Sequence, residues 1–145
     1  MSHLASIPQK LGIDAQFEAR HGAQWLNVEG VGVRTLAETM NAIGARFITI
    51  TAYELPADEG FRLEYHWDLD GTLLGFAFQV VDKKIDSIFD LCPGVDWIER
   101  EIYEEYVIEF VGRPYDPLLL LPGVTPGVNL RKDPNQLEAA TEVAK

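Results

Sequence analysis

Phe61, Leu63, Tyr65 and Trp67 alternate with Arg62, Glu64 and His66. After Asp70-Gly71, the apolar residues Leu74, Phe76, Phe78 and Val80 again fall on every second position. A period of two sends successive side chains to opposite faces of a strand, so each run is a half-buried strand. Asp-Gly between two such runs suits a two-residue hairpin turn, whose central residues take positive φ. The chain is thereby committed to an antiparallel hairpin with one aromatic face. That face must be covered, and the flanking helical patterns are the material available to cover it. The expected fold is α+β, a mainly antiparallel sheet with helices packed on one face.

Upstream, residues 24–28 and 47–53 (Phe-Ile-Thr-Ile-Thr-Ala-Tyr) read as strands. Leu36, Met40 and Ile43 share one face of a helix over residues 34–43, with Gly44 as its stop. Residues 56–60 form a polar loop. Downstream, residues 87–91 suggest a short helix ended by Pro93-Gly94. A stronger helix is expected from Asp96, acting as N-cap, to about Tyr106, with Ile98, Ile102 and Tyr106 along one side. Beyond Gly112, prolines 114, 117, 122 and 126 forbid long helices and favour an extended segment. Asp133 and Pro134 open a last polar helix. The chain thus divides into an α+β domain, residues 1–112, and an extended Pro-rich arm with a short C-terminal helix, residues 113–145.

No apolar run approaches the roughly 20 residues that span a bilayer. The N-terminal residues also lack the continuous apolar region of a signal peptide. Membrane association, if any, is expected through partners. A net charge of −11, from 23 acidic and 12 basic residues, disfavours nucleic acid, whose phosphates require a basic face. One cysteine, Cys92, cannot hold an iron–sulfur cluster or a structural zinc, which take about four ligands. It is expected to be a small buried residue.

Two constellations invite chemistry. Asp68-Leu69-Asp70-Gly71-Thr72-Leu73 spells the first motif of haloacid-dehalogenase-type phosphotransferases, with Asp68 as nucleophile, Asp70 as general acid and magnesium between them. That motif belongs at the end of a buried parallel strand, whereas here it joins two alternating strands. A magnesium-dependent phosphatase is therefore the alternative reading, carried by spelling alone. His3, His21 and His66 are scattered, and His66 falls on the polar face of its strand, so none is expected to ligate metal.

The second constellation runs from residue 96 to 109, with six carboxylates and one cation, Arg100. Helical spacing pairs Arg100 with Glu104 and sets Glu101 against Glu105. Glu99 lies beside the apolar stripe. A carboxylate there needs a cation or several donors, from this chain or another. A solvated acidic face and a partner-docking surface both remain open on these grounds.

Trp97-Ile98-Glu99-Arg100-Glu101-Ile102-Tyr103 resembles the tryptophan–x–Glu-Arg-Glu–x–Tyr hallmark of the 30-kilodalton subunit family of complex I, the NADH dehydrogenase of respiratory chains. The flanks agree in order: residues 86–91 resemble the segment before the tryptophan. Phe110-Val111-Gly112-Arg113-Pro114 resembles the family's Phe-x-Gly-His-Pro, Leu119 to Pro122 its Leu-Leu-Pro, and Leu130-Arg131-Lys132-Asp133 its closing motif. The first half fits in pattern alone. Glu104, Val107 and Arg113 stand where the family usually has Asp, Gly and His. Valine resists the left-handed conformation that glycine allows, so a different helix end is expected here.

The resemblance implies a structural subunit, not catalytic by itself, without cofactor. It implies a place in the peripheral arm of NADH:quinone oxidoreductase or of a related membrane-bound hydrogenase. The implied partners are the large quinone- or nickel-site subunit homologous to the nickel–iron hydrogenase catalytic subunit, and iron–sulfur subunits of the same complex. The implied location is the cytoplasmic side of the membrane. The docking residues it implies are Trp97, Glu99, Arg100, Glu101, Tyr103, Arg113, Pro114, Arg131 and Lys132, with residues 112–126 laid on the partner.

Overall fold

The computed structural model describes residues 3–56 and 59–127. Its centre is a five-stranded sheet in the order β1-β2-β5-β4-β3. The strands are β1 (Glu18–Arg20), β2 (Ala23–Asn27), β3 (Arg46–Glu54), β4 (Phe61–Leu69) and β5 (Thr72–Val80). The aromatic hairpin forms as the alternation requires: β4 and β5 pair antiparallel from Phe61↔Val80 to Leu69↔Thr72. Asp70 and Gly71 take φ of 52° and 81° in the two-residue turn. Every second residue of β4 is buried. Trp67 meets Phe76 edge-to-face at 5.7 Å and Phe47 at 5.4 Å, while Tyr65 meets Phe78 at 5.5 Å. Each fully buried aromatic of this size contributes about 1.5–3 kcal/mol of apolar burial.

Within this sheet, one pair departs from the expected antiparallel pattern. β2 runs parallel to β5, Trp25 beside Gly75. This makes β5 a central strand buried on both faces. Gly75 is what allows it: a Cβ there would stand 2.5 Å from the Trp25 ring. The connection from β2 to β5 passes through α2, β3 and β4, too long for local periodicity to reveal.

Helix α1 (Ile7–Leu11) and helix α2 (Val33–Ala42) bury Ile7, Leu11, Val33, Leu36, Ala37 and Met40 in the core. Gly44, at φ 76°, ends α2, and the Ala45 N–H returns to the Met40 carbonyl at 3.0 Å. Two local expectations fail after β5, and two short strands form where none was expected. Residues 87–91 form a single turn rather than a helix. The short strands β6 (Lys84–Asp86) and β7 (Glu109–Val111) pair in parallel as a second sheet. Helix α3 (Asp96–Tyr106) follows a 3₁₀ turn, Pro93–Val95, and Val95 occupies its N-cap. Asp96 makes no cap bond; its carboxylate is drawn to arginines instead.

Val107 corrects a further expectation. It does adopt the left-handed conformation, φ 58° and ψ 37°, and its N–H closes on the Tyr103 carbonyl at 2.8 Å. The helix therefore ends as a glycine would end it, at a steric cost of about 1–2 kcal/mol. Lys83 donates to the Tyr106 carbonyl at 3.3 Å, placing a cation at the C-terminus of a helix with no basic residue in its last turn.

Candidate docking site

Helix α3 carries two carboxylates that are almost wholly buried, each 1% exposed: Glu99 and Glu104. The chain satisfies both. Glu99 accepts from the Ser87 hydroxyl at 2.7 Å, the Ile88 N–H at 3.0 Å and Arg113 Nη1 at 3.2 Å. The single turn at residues 87–91 is thus open backbone aimed at a carboxylate. Arg113 also donates to Asp96 at 2.5 Å and lies over the Phe89 ring, 4.6 Å from its centroid. Burial pushes the Glu99 carboxyl above its ordinary range, and the bonds from Ser87, Ile88 and Arg113 offset this in part. Asp96 is held below the carboxylate range by its bond from Arg113.

Glu104 faces the opposite flank and gathers the segment after Pro114. The Tyr115 hydroxyl donates to it at 2.7 Å, Leu118 N–H at 2.8 Å, Leu119 N–H at 3.0 Å and Leu120 N–H at 3.3 Å. Burial alone would raise this carboxyl. The donors of Leu118, Tyr115, Leu119 and Leu120 together outweigh it and hold Glu104 below its ordinary range. Tyr115 is pushed up to about 12 by burial and by this bond.

Arg100 completes the fastening. It donates to the carbonyls of Asp116 at 2.8 Å and Pro117 at 2.6 Å, and stands 3.6 Å from Asp96. The expected pairing of Arg100 with Glu104 does not form, because Glu104 is occupied by backbone donors. Tyr103 stacks on Tyr115 at 4.1 Å, and Gly127 N–H donates to the Glu104 carbonyl at 2.7 Å. Residues 113–127 therefore lie as a strap along α3 of the same chain, where the resemblance laid them on a partner. The expected opposition of Glu101 and Glu105 is present: the Glu105 carboxyl is raised by burial, then by Glu101 and Glu104.

The structure sorts the expected docking residues into two groups. Glu99, Arg100, Tyr103 and Arg113 turn inward and hold α3 to residues 87–90 and to the strap. Pro114 lines a cavity of about 40 Å³ between Glu99, Tyr103 and Arg113, room for about one water. Trp97, at 70% exposure, points away from the chain, and Glu101 is partly exposed beside it on the helix. Arg131 and Lys132, with the expected helix opening at Pro134, lie outside the described residues. Leu119 and Leu121, at 65% and 74% exposure, project from the strap. Glu104 was expected to pair with Arg100 rather than to gather backbone amides, and neither Tyr115 nor Phe89 was expected in this site. The available hint was the leucine run at residues 118–121, consecutive amides without an acceptor side chain among them.

The other candidates have plain roles. Asp68 lies 3.4 Å from Arg46 on β3, and Asp70 sits in the hairpin turn. The phosphotransferase spelling thus falls on an antiparallel turn, not at the end of a parallel strand. His66 meets the Thr51 hydroxyl at 2.8 Å and the Trp25 ring at 5.5 Å. Among the described residues, no group of three or more His, Cys, Asp or Glu is arranged to hold a metal. Cys92 is buried, its sulfur 3.8 Å from Asn41 Oδ1, and burial raises its thiol pKa.

The family model of the respiratory-chain NADH dehydrogenase, 30 Kd subunit, matches residues 26–139. The chain belongs to that family. This 30 Kd subunit relative is 47% identical over 49 residues to NAD(P)H-quinone oxidoreductase subunit J of Synechococcus sp. (strain CC9902), a match over 34% of this chain and 25% of that one. Over 52 residues it is 40% identical to the protein of the same name from Prochlorococcus marinus (strain NATL1A), covering 36% of this chain and 30% of that one. The matches span less than a third of these two curated relatives. The fold is shared with a chain of the membrane-bound sulfane sulfur reductase, an archaeal respiratory membrane complex, at TM-score 0.70 and 17% identity over 82% of this chain and 74% of that one. It is shared also with a trypsin-resistant fragment of Nqo5, at TM-score 0.56 and 20% identity over 68% of this chain and 86% of that one. No helix among the described residues is long and apolar enough to cross a membrane.

Proposed function

We propose that this 30 Kd subunit family member is a non-catalytic structural subunit in the peripheral arm of NADH:quinone oxidoreductase or a related membrane-bound hydrogenase. It docks on the large subunit homologous to the nickel–iron hydrogenase catalytic subunit, beside iron–sulfur subunits of the same complex, and supports electron transfer by holding them in place. Its location is the cytoplasmic side of the membrane, reached through its partners. The observation that carries the reading is the division of labour on α3. Among the described residues, each arginine contact to an α3 carboxylate comes from this chain, from Arg100 and Arg113, while Trp97, a large apolar residue of the kind that anchors interfaces, faces solvent. Trp97, Leu119 and Leu121 form the contact surface. Glu99, Arg100, Tyr103, Arg113 and Pro114 hold the helix and strap that present it, Glu101 flanks it, and Arg131 and Lys132 anchor its end.

The test is purification of the tagged chain from detergent-solubilised membranes of its host. The wild type brings down a large redox subunit, and Trp97→Ala reduces that yield at least tenfold while the free variant keeps its melting temperature. Recovery of the wild-type chain solely as a free monomer would overturn the reading.

A further inference from the structure

The two edges of the five-stranded sheet are guarded differently. β1 has three residues with charges at both ends, Glu18 and Arg20. β3 has nine, and among the described residues no strand lies beyond it. Between Arg46 and Glu54 it carries neither charge nor proline. Its one irregularity lies between Phe47 and Thr49. Open edges in native proteins are usually blunted by charge, proline, bulges or a covering element, because their free amides and carbonyls template another strand. From residue 50 to 54 no such residue stands on β3 before Glu54 itself.

The phase of the ladder tells which groups are free. Leu55 N–H donates to the Gly60 carbonyl at 2.8 Å. Bonded pairs alternate along an antiparallel ladder, so Tyr53 and Thr51 bond to Arg62 and Glu64 on β4. The amides and carbonyls of Ile50, Ala52 and Glu54 then point outward. The 3₁₀ turn before α3 packs beside β3 through Gly94, on the Phe47 ring, and Phe47 faces Trp67 in the core. Helix α3 also packs close to β3; among the described residues neither element places a strand beside this row of amides.

We propose that the β3 edge is a strand-addition site, taken by an extended, uncharged segment of a neighbouring subunit. The inference rests on the subunit reading above. An extended backbone is the ligand that matches a row of alternating donors and acceptors. The segment is uncharged where it faces Ile50 and Ala52, and basic where it faces Glu54. A second copy of β3 fits poorly: antiparallel pairing centred on Ala52 would set Glu54 against Ile50, a polar–apolar mismatch, and pairing centred on Ile50 would run the ladder across the irregularity between Phe47 and Thr49.

Ala52→Pro tests the site. Its N–H points outward, so proline removes no bond to β4, yet it deletes a donor and places a ring on the edge. The free variant is expected to keep its circular dichroism and to enter the membrane complex at under a tenth of the wild-type yield. Amides 50, 52 and 54 of the wild type should exchange at least tenfold more slowly in the complex than in the free chain. Equal exchange in the two states, or a folded Ala52→Pro chain that assembles normally, overturns the proposal. So does a free wild-type dimer with these amides protected, which would give the edge to a second copy. If Ala52→Pro fails to fold, the wild-type exchange comparison decides alone. A wild-type chain that enters no complex defeats the subunit reading instead.

Discussion

At the scale of single residues, burial and pairing of charge set the largest effects. Arg113 is the one cation touching Glu99 among the described residues, and its side chain is 13% exposed. Arg113→Met keeps the stem and its packing on Phe89 but strands a carboxylate with two neutral donors. Breaking one partner of a buried pair costs about 3 kcal/mol, so the urea midpoint should fall accordingly. Val107 predicts the opposite sign. Val107→Gly removes the left-handed penalty and adds backbone entropy to the unfolded chain, for a net gain of up to about 1 kcal/mol. Thermal unfolding checks both. The position of Glu99 beside the apolar stripe was legible from helical spacing. Its partners were not, because Ser87, Ile88 and Arg113 come from two distant stretches. The Val107 conformation was not legible either: φ there is decided by closure on Tyr103 and by the turn of the chain into β7.

At the scale of elements, the strap is fastened at two places: Arg100 and the Tyr103 ring hold residues 115–117, and Glu104 holds the amides of 118–120. Glu104→Ala should therefore free residues 118–120 without unfolding the sheet. Hydrogen exchange at the amides of Leu118, Leu119 and Leu120 should accelerate at least tenfold, with β4 and β5 unchanged. The same fastening is acid-sensitive, with a definite sign. Glu104 titrates lower in the folded chain than in the unfolded one. Its contribution is therefore complete above the ordinary carboxylate range and is lost as pH falls through its depressed folded value. Glu99 acts in the reverse sense. Its raised pKa means that stability is lost as pH rises from the ordinary carboxylate value through the folded one. Strap amides should open on acidification before the sheet does. β4 and β5 were readable residue by residue, because a period of two and an Asp-Gly turn leave one register. β6 and β7 were not, since three residues hold too little pattern. The parallel seat of β2 on β5 depended on Trp25 covering Gly75, a contact between distant stretches.

At the scale of the whole molecule, the fold class was contained in the hairpin and its helical flanks. The family resemblance was contained in ordered motifs over the second half. Neither told which side chains face outward. An acidic helix with an arginine reads equally as solvated or docking until its partners are known. Here the partners are internal: residues 87–90 on one flank and the strap on the other. Trp97 projects from that internally paired helix, so the proposed docking role predicts two classes of variant: changes at Glu99 and Arg113 lower stability, and changes at Trp97 and Leu121 lower recovery of the complex with stability unchanged.

A photo-activatable phenylalanine placed at position 97 and irradiated in native membranes tests this division directly. One intermolecular adduct is expected in high yield, to the large subunit, with none from the same probe at position 99, which is buried inside the chain. Adducts from position 97 solely to lipid, water or this chain, or an equal intermolecular yield from position 99, would contradict it.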